Sequence, residues 1–419
     1  MPVILASALW APLACAQDVR SFPGEAGPVF SESGPDAELY GAASGYPVGT
    51  RGTTTQIDKL VGVYSHFGEI YPSRPIGRAT APWQFKRAPE PAITYSFGTE
   101  RLSIADYLKR NPVTGLLIAR DDTILYEHYQ YARTDHDRFL SQSMAKTLVG
   151  MLVGIAVSEG RIKSIDDPVS TYVSGLAGTE YGSTSIRALL NMSSGVEFSE
   201  VYDGQDDIAR LGRALFVEEP KDPAAVVAQF NTRTAPPGTR WHYASVETEI
   251  LGLVLRSATG TPVADYLHDR IWDAIGTEAD ASWAIDGSGQ EIAFCCFNAT
   301  LRDYARLARL LAHDGAWEGR QLIPRAMAAG CHDRQARRRS SRSARGHTLF
   351  RLRLSGVAPA RRAAQICPAR HPRSGHPGRS GLEARHGAHR RSPEAVRTGS
   401  PQGAACVVVR RASTARAMI

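Results

Sequence analysis

Residues 143–162 read SMAKTLVGMLVGIAVSEGRI. Met144, Leu148, Met151, Leu152 and Ile155 recur at helical spacing, and Gly160 stops the pattern, so a helix is expected from Ser143 to about Gly160. Its remaining positions are mostly small or apolar as well, which places it at the centre of a core rather than on a surface. Ser143 and Lys146 stand three residues apart on the first turn and therefore share a face. A serine hydroxyl is a weak nucleophile until a base removes its proton, and a lysine serves as that base only where desolvation or a neighbouring cation favours its neutral form. Ser-x-x-Lys alone is a common tetrapeptide, and a helix cap followed by a solvated lysine explains it equally well.

Upstream, Thr114–Gln130 (TGLLIARDDTILYEHYQ) holds two apolar runs on either side of Asp121-Asp122-Thr123, the pattern of an antiparallel hairpin. Residues 18–57 are rich in Gly, Pro and Ser and read as a loose or wrapping arm, with order expected from about Leu60. Downstream, Ser185–Asn191 reads as a short helix, and Pro236-Pro237-Gly238 forms a turn ahead of Trp241-His242-Tyr243-Ala244-Ser245. Glu247–Thr259 is a helix capped by Gly260, and Thr300 caps another that carries Leu301, Tyr304, Ala305, Leu307, Leu310 and Leu311 on one face.

The segments SMAKTLVGMLVGIAVSEGRI, LLNMSSGVEF (189–198) and PPGTRWHYASVETEILGLVL (236–255) together resemble the serine β-lactamase and penicillin-binding superfamily. Within it they are most similar to the branch of 6-aminohexanoate-dimer hydrolase and related esterases. The resemblance covers residues 111–324. It implies an α+β, β-lactamase/transpeptidase-like fold, a mainly antiparallel sheet flanked by helices with a helical lobe. It also implies acyl transfer: Ser143 attacks a carbonyl, Lys146 takes its proton, and Tyr243 relays a proton to the leaving group. Ser245 would hydrogen-bond in the same cluster, and it stands where β-lactamases commonly carry asparagine, which favours the amidase and esterase branch. Tyr202, in Ser199-Glu200-Val201-Tyr202-Asp203, matches a mobile-loop tyrosine that contacts the substrate's amide nitrogen in the amide-cleaving branch. His242 is read as structural, since the lysine already fills the role of base. The Ser143 N–H, near a helix N-terminus, would supply half of an oxyanion hole. No metal or organic cofactor is implied; the partner is a small amide or ester. A D,D-peptidase or β-lactamase is the rival within enzymes.

The termini differ from this body. Residues 1–17 (MPVILASALWAPLACAQ) are apolar and end in Ala14-Cys15-Ala16, as a secretory signal does, which points to a periplasmic or secreted protein; no other segment is apolar and long enough to span a bilayer. Residues 18–110 form the arm and the start of the domain, residues 111–324 the hydrolase body. From Arg325 to Ile419 there are 21 Arg, no Lys and three acids, a net of +18, against 28 bases and 39 acids before it, a net of −11. The formal +7 thus belongs to the tail and marks no nucleic-acid enzyme, although a basic tail that binds nucleic acid is the rival reading from another class.

A strand carrying a Gly-rich third motif is expected near residue 370, and none is visible. Read one base later, plausible codons for His347–Leu354 give TPYFGYGY and those for Ala369–Gly375 give LGIHGQ, so the tail is expected to be out of frame and disordered. The closing strands and half of the oxyanion hole would then be missing and the activity crippled. Of six cysteines, Cys295 and Cys296 in AFCCFNAT are read as small buried hydrophobes, with no disulfide framework implied.

Overall fold

The computed structural model describes residues 27–325 and 327, together with the backbone of two strands at 363–366 and 405–410. The signal-like segment 1–17 and the rest of the Arg-rich tail, including the stretch around residue 370, lie outside the described residues.

The hairpin forms where the apolar runs place it. Gly115–Arg120 pairs antiparallel with Thr123–Tyr129 across a turn in which Asp121 takes φ 50°, and the register shifts by one residue after Ile118. Val29–Phe30 and Lys86–Arg87 both join the outer strand in parallel. On the other side Ala405–Arg410 runs parallel to Gly115–Arg120, and Ala363–Ile366 pairs antiparallel with Ala405–Arg410. This corrects the expectation that the sheet loses its closing strands: two tail segments occupy that edge, and Cys406-Val407-Val408-Val409 is the kind of β-branched run that fits a ladder. A second sheet is antiparallel throughout, in the order Ser73–Ile76, Ala281–Ala284, Phe297–Thr300, Arg138–Leu140. Mixed and antiparallel sheets flanked by helices give the α+β architecture.

The helix Ala145–Ser158 is buried on nearly every side, as its composition requires; Val149, Leu152, Val153 and Ala156 are fully enclosed. It ends where Gly160 turns to φ 70°. The helix Ser245–Thr259 packs against it and ends at Gly260 with φ 69°. Leu301–Ala312 is capped by Thr300, whose hydroxyl accepts from the Asp303 N–H. Arg302 on this helix ion-pairs with Glu127, Asp135 and Glu278, tying the hairpin to the last helix of the body. Asp303 is buried against Arg306 and the N–H groups of Glu278 and Ala279, and desolvation pushes its carboxyl up to about 6.

The N-terminal arm is more ordered than its Gly/Pro content suggests. Tyr40, Tyr46 and Tyr131 form a small buried cluster with edge-to-face contacts, and the Tyr131 and Tyr46 hydroxyls donate to the carbonyls of Pro35 and Glu32. Order therefore begins well before Leu60, because these tyrosines supply the burial that the surrounding residues lack. No helix among the described residues is long and apolar enough to cross a membrane.

Candidate active site

Ser143 sits in a short 3-10 turn, Gln142–Met144, that runs directly into Ala145–Ser158. Gln142 takes φ 44°, in the left-handed region that a glutamine seldom adopts. The turn is held from two sides: Ser141 N–H donates to the Phe297 carbonyl at 2.8 Å, and the Ser141 hydroxyl accepts from the Phe297 N–H at 3.1 Å. Backbone strain fixed in this way by a neighbouring strand is characteristic of residues presented for chemistry.

Three predicted residues meet here. Lys146 Nζ lies 3.0 Å from Ser143 Oγ, and the Tyr243 hydroxyl lies 2.9 Å from the same oxygen. Lys146 is only 3% exposed, and its second recorded partner is the Phe294 carbonyl at 2.9 Å. No carboxylate lies within ion-pairing distance of it among the described residues. The rings of Tyr243 and Phe294 flank the amine at 5.1 and 5.5 Å. The arrangement gives the serine one neighbour able to take its proton and another able to pass one on.

Ser245 and Tyr202 are brought together by a residue that the sequence reading passed over. Ser245, the buried first residue of its helix, donates from its hydroxyl to Glu200 Oε1 at 2.8 Å and from its N–H to Glu200 Oε2 at 2.7 Å. The Tyr202 hydroxyl donates to Glu200 Oε1. Tyr202 is about half exposed; desolvation and then the Glu200 charge push its phenol far above its ordinary value. Tyr202 also takes φ 61°, held by its N–H and that of Val201 on Asp206 Oδ2. His242 has the structural role expected of it, with Nε2 on the Phe198 carbonyl at 2.6 Å.

One helix braces all of this. Beyond Ser245, Glu247 Oε1 accepts from the Ser194 N–H in the NMSSGV loop, and Glu249 Oε2 accepts from the Ala293 N–H, next to the Phe294 carbonyl that meets Lys146. Desolvation pushes both carboxyls up to about 8. In that loop Gly195 has φ 75°, and a Cβ there would strike the Ala235 carbonyl oxygen, so the close approach requires glycine.

Cys295 and Cys296 are buried as expected but are joined in a disulfide, contrary to the reading of two free thiols. Cys296 adopts φ 70° at this junction. Spacing rules look for cysteines that are distant in sequence, and an adjacent pair escapes them.

A profile described as Beta-lactamase matches residues 103–350. The 6-aminohexanoate-dimer hydrolase of Paenarthrobacter ureafaciens is 26% identical over 292 residues, which cover 68% of this chain and 73% of that protein. An Escherichia coli (strain K12) protein provisionally named D-alanyl-D-alanine carboxypeptidase is 24% identical over 229 residues, covering 48% of this chain and 51% of its own. Among solved structures, a Bacillus anthracis protein provisionally named 6-aminohexanoate-dimer hydrolase shares the fold with a TM-score of 0.59 at 24% identity, over 65% of this chain and 74% of that one. With more than half of its length matched and the Ser-x-x-Lys turn in place, this chain belongs to the β-lactamase family of hydrolases.

Proposed function

We propose that the protein is a serine hydrolase that cleaves an amide or ester through an acyl-enzyme on Ser143. The observation that carries this is the single oxygen, Ser143 Oγ, held between Lys146 Nζ at 3.0 Å and the Tyr243 hydroxyl at 2.9 Å. Lys146 accepts the serine proton as Oγ bonds to the substrate carbonyl carbon. The tetrahedral centre collapses as Tyr243 gives a proton to the departing amine or alcohol and takes in its place the proton held by Lys146. Water then attacks the acyl-enzyme, losing a proton to Lys146, and that proton returns to Ser143 Oγ as the acid leaves. The likeness to 6-aminohexanoate-dimer hydrolase and the position of Tyr202 support a linear amide or ester as substrate. The signal-like segment 1–17 supports action outside the cytoplasm.

The Arg-rich tail from Arg325 onward is proposed to be out of frame, removing one oxyanion donor and lowering turnover by about 10²–10³ relative to a frame-restored parent. Resequencing codons 315–335 tests it: an uninterrupted frame in the genomic DNA refutes the slip.

Labelling with a fluorophosphonate, followed by peptide mass spectrometry, tests the reaction class. The adduct is expected on Ser143, and Ser143→Ala is expected to remove both the adduct and p-nitrophenyl ester hydrolysis. Hydrolysis that survives Ser143→Ala refutes the proposal. A stable adduct with a labelled penicillin, in place of ester turnover, would move the assignment to a D,D-peptidase or β-lactamase.

A further inference from the structure

Glu200 is unlike the other carboxylates around the site. Glu247 and Glu249 on the buried helix hold backbone at the Ser194 and Ala293 N–H groups, and Asp206 and Asp207 accept from N–H groups of their own loop, whereas Glu200 reaches from the loop to the helix. It accepts the Ser245 N–H and the Ser245 hydroxyl, and on the oxygen that holds the hydroxyl it also accepts the Tyr202 phenol. Ser245 stands two residues from Tyr243, whose hydroxyl is on the nucleophile. The Tyr202 phenol, on the carboxylate that also holds Ser245, is thereby tied to the start of the helix that follows Tyr243. A loop with Val201 and Tyr202 both more than half exposed has little packing to hold it, so its position depends on such bonds.

We propose that Glu200 is a positioning residue: its carboxylate latches the 199–206 loop onto the start of the helix Ser245–Thr259 and thereby sets the Tyr202 phenol beside the Ser143–Tyr243 pair. The inference rests on Ser143 being the nucleophile. Glu200 contacts neither Ser143 nor Lys146 among its recorded bonds, so its influence passes through Tyr202 and Ser245. An amide needs a proton delivered to its leaving nitrogen and depends on groups held beside that atom. A p-nitrophenyl ester loses a stabilised phenolate and does not. Glu200 therefore sets the preference between the two substrates rather than the reactivity of the serine.

The test compares acylation of the full chain by a p-nitrophenyl ester and by the linear alkyl amide of the same acyl group. Single-turnover formation of the acyl-enzyme is followed by mass spectrometry. Glu200→Ala is expected to slow the amide by about tenfold, the worth of one well-placed hydrogen bond, and to leave the ester within about twofold; Tyr202→Phe should slow the amide by as much. The double variant should lose no more than the worse single one, because both changes break one link. Glu200→Gln, which keeps an acceptor for Ser245 but cannot serve three donors, should fall between. Losses that multiply in the double variant, or equal losses on ester and amide, overturn the latch. If Glu200→Ala fails to fold, Glu200→Gln carries the test: it should still lower the amide-to-ester ratio, and an unchanged ratio there overturns the latch equally. Fluorophosphonate labelling of Ser143 separates the two claims. Normal labelling with no change in the amide-to-ester ratio sinks the latch alone, whereas wild-type protein that acylates on a residue other than Ser143, or on neither substrate, sinks the serine reading and the latch with it.

Discussion

The two walls that meet at Ser143 are built in opposite ways. On one side the helices Ala145–Ser158 and Ser245–Thr259 are enclosed by apolar side chains, and even their ionisable groups, Lys146, Glu247 and Glu249, are buried. On the other side the 199–206 loop exposes Val201 at 66% and Tyr202 at 53% and is held by hydrogen bonds to Glu200, Asp206 and Asp207. Packing fixes the reacting atoms, where a displacement of an ångström is costly. Hydrogen bonds fix the loop proposed to face the substrate, where a change of partner would adjust specificity without unfolding the protein. Substitutions in the first wall should therefore cost chemistry or stability, and those in the second should cost selectivity.

The largest effect is expected at the base. Lys146→Ala removes the Nζ that stands 3.0 Å from the serine oxygen, and acylation by a p-nitrophenyl ester should fall by about 10²–10⁴. A fall below tenfold, measured with folded protein, would mean that the lysine only packs. Next in size is a stability contrast between the walls. Leu152→Ala empties a fully enclosed position and should cost about 2–5 kcal/mol in a urea titration, while Val201→Ala on the loop should stay within about 0.5 kcal/mol. Equal costs would show that the loop is packed as firmly as the helices.

The same contrast explains what could be read from the sequence. Ser143 and Lys146 were legible because helical spacing puts them on one face of an apolar, periodic segment, and Tyr243 because the stretch around it resembles the second motif of the family. The hairpin, the Gly160 and Gly260 stops and the Thr300 cap were legible for the same local reasons. Glu200 was not, since a lone acid in a polar loop has no periodicity to betray it, and its partner Ser245 lies 45 residues away. The Phe294 carbonyl could not be seen at all, because backbone oxygens leave no mark in a sequence, and it reaches Lys146 across 148 residues. The packing of the arm was hidden by its glycines and prolines, although Tyr40 and Tyr46 in their midst were the available signal. The pairing of Ala405–Arg410 with Gly115–Arg120 depends on a tail whose composition argued against order, and only its short valine run pointed the other way.

The remaining contrast probes the buried wall most directly, through a proton rather than a side chain. Glu249 is raised to about 8 in the folded protein from an ordinary value near 4.5, chiefly by desolvation, and it accepts the Ala293 N–H that precedes the Phe294 carbonyl on Lys146. The folded state then binds more protons than the unfolded state between these two values, so stability is complete below about 4.5 and is lost progressively as pH rises toward about 8. Glu249→Gln keeps an oxygen for the Ala293 N–H and cannot ionise. Its melting temperature should fall less than that of the parent between pH 5 and pH 8, by on the order of ten degrees on the scale of ~2–4 °C per kcal/mol for a body of this size. Glu247, raised to a similar value in the same helix, should leave a residual slope that only the double substitution removes. Parallel melting curves for parent and Glu249→Gln would mean that water or a counter-charge reaches this carboxyl, and that the wall carrying Lys146 is less closed than the loop opposite it would require.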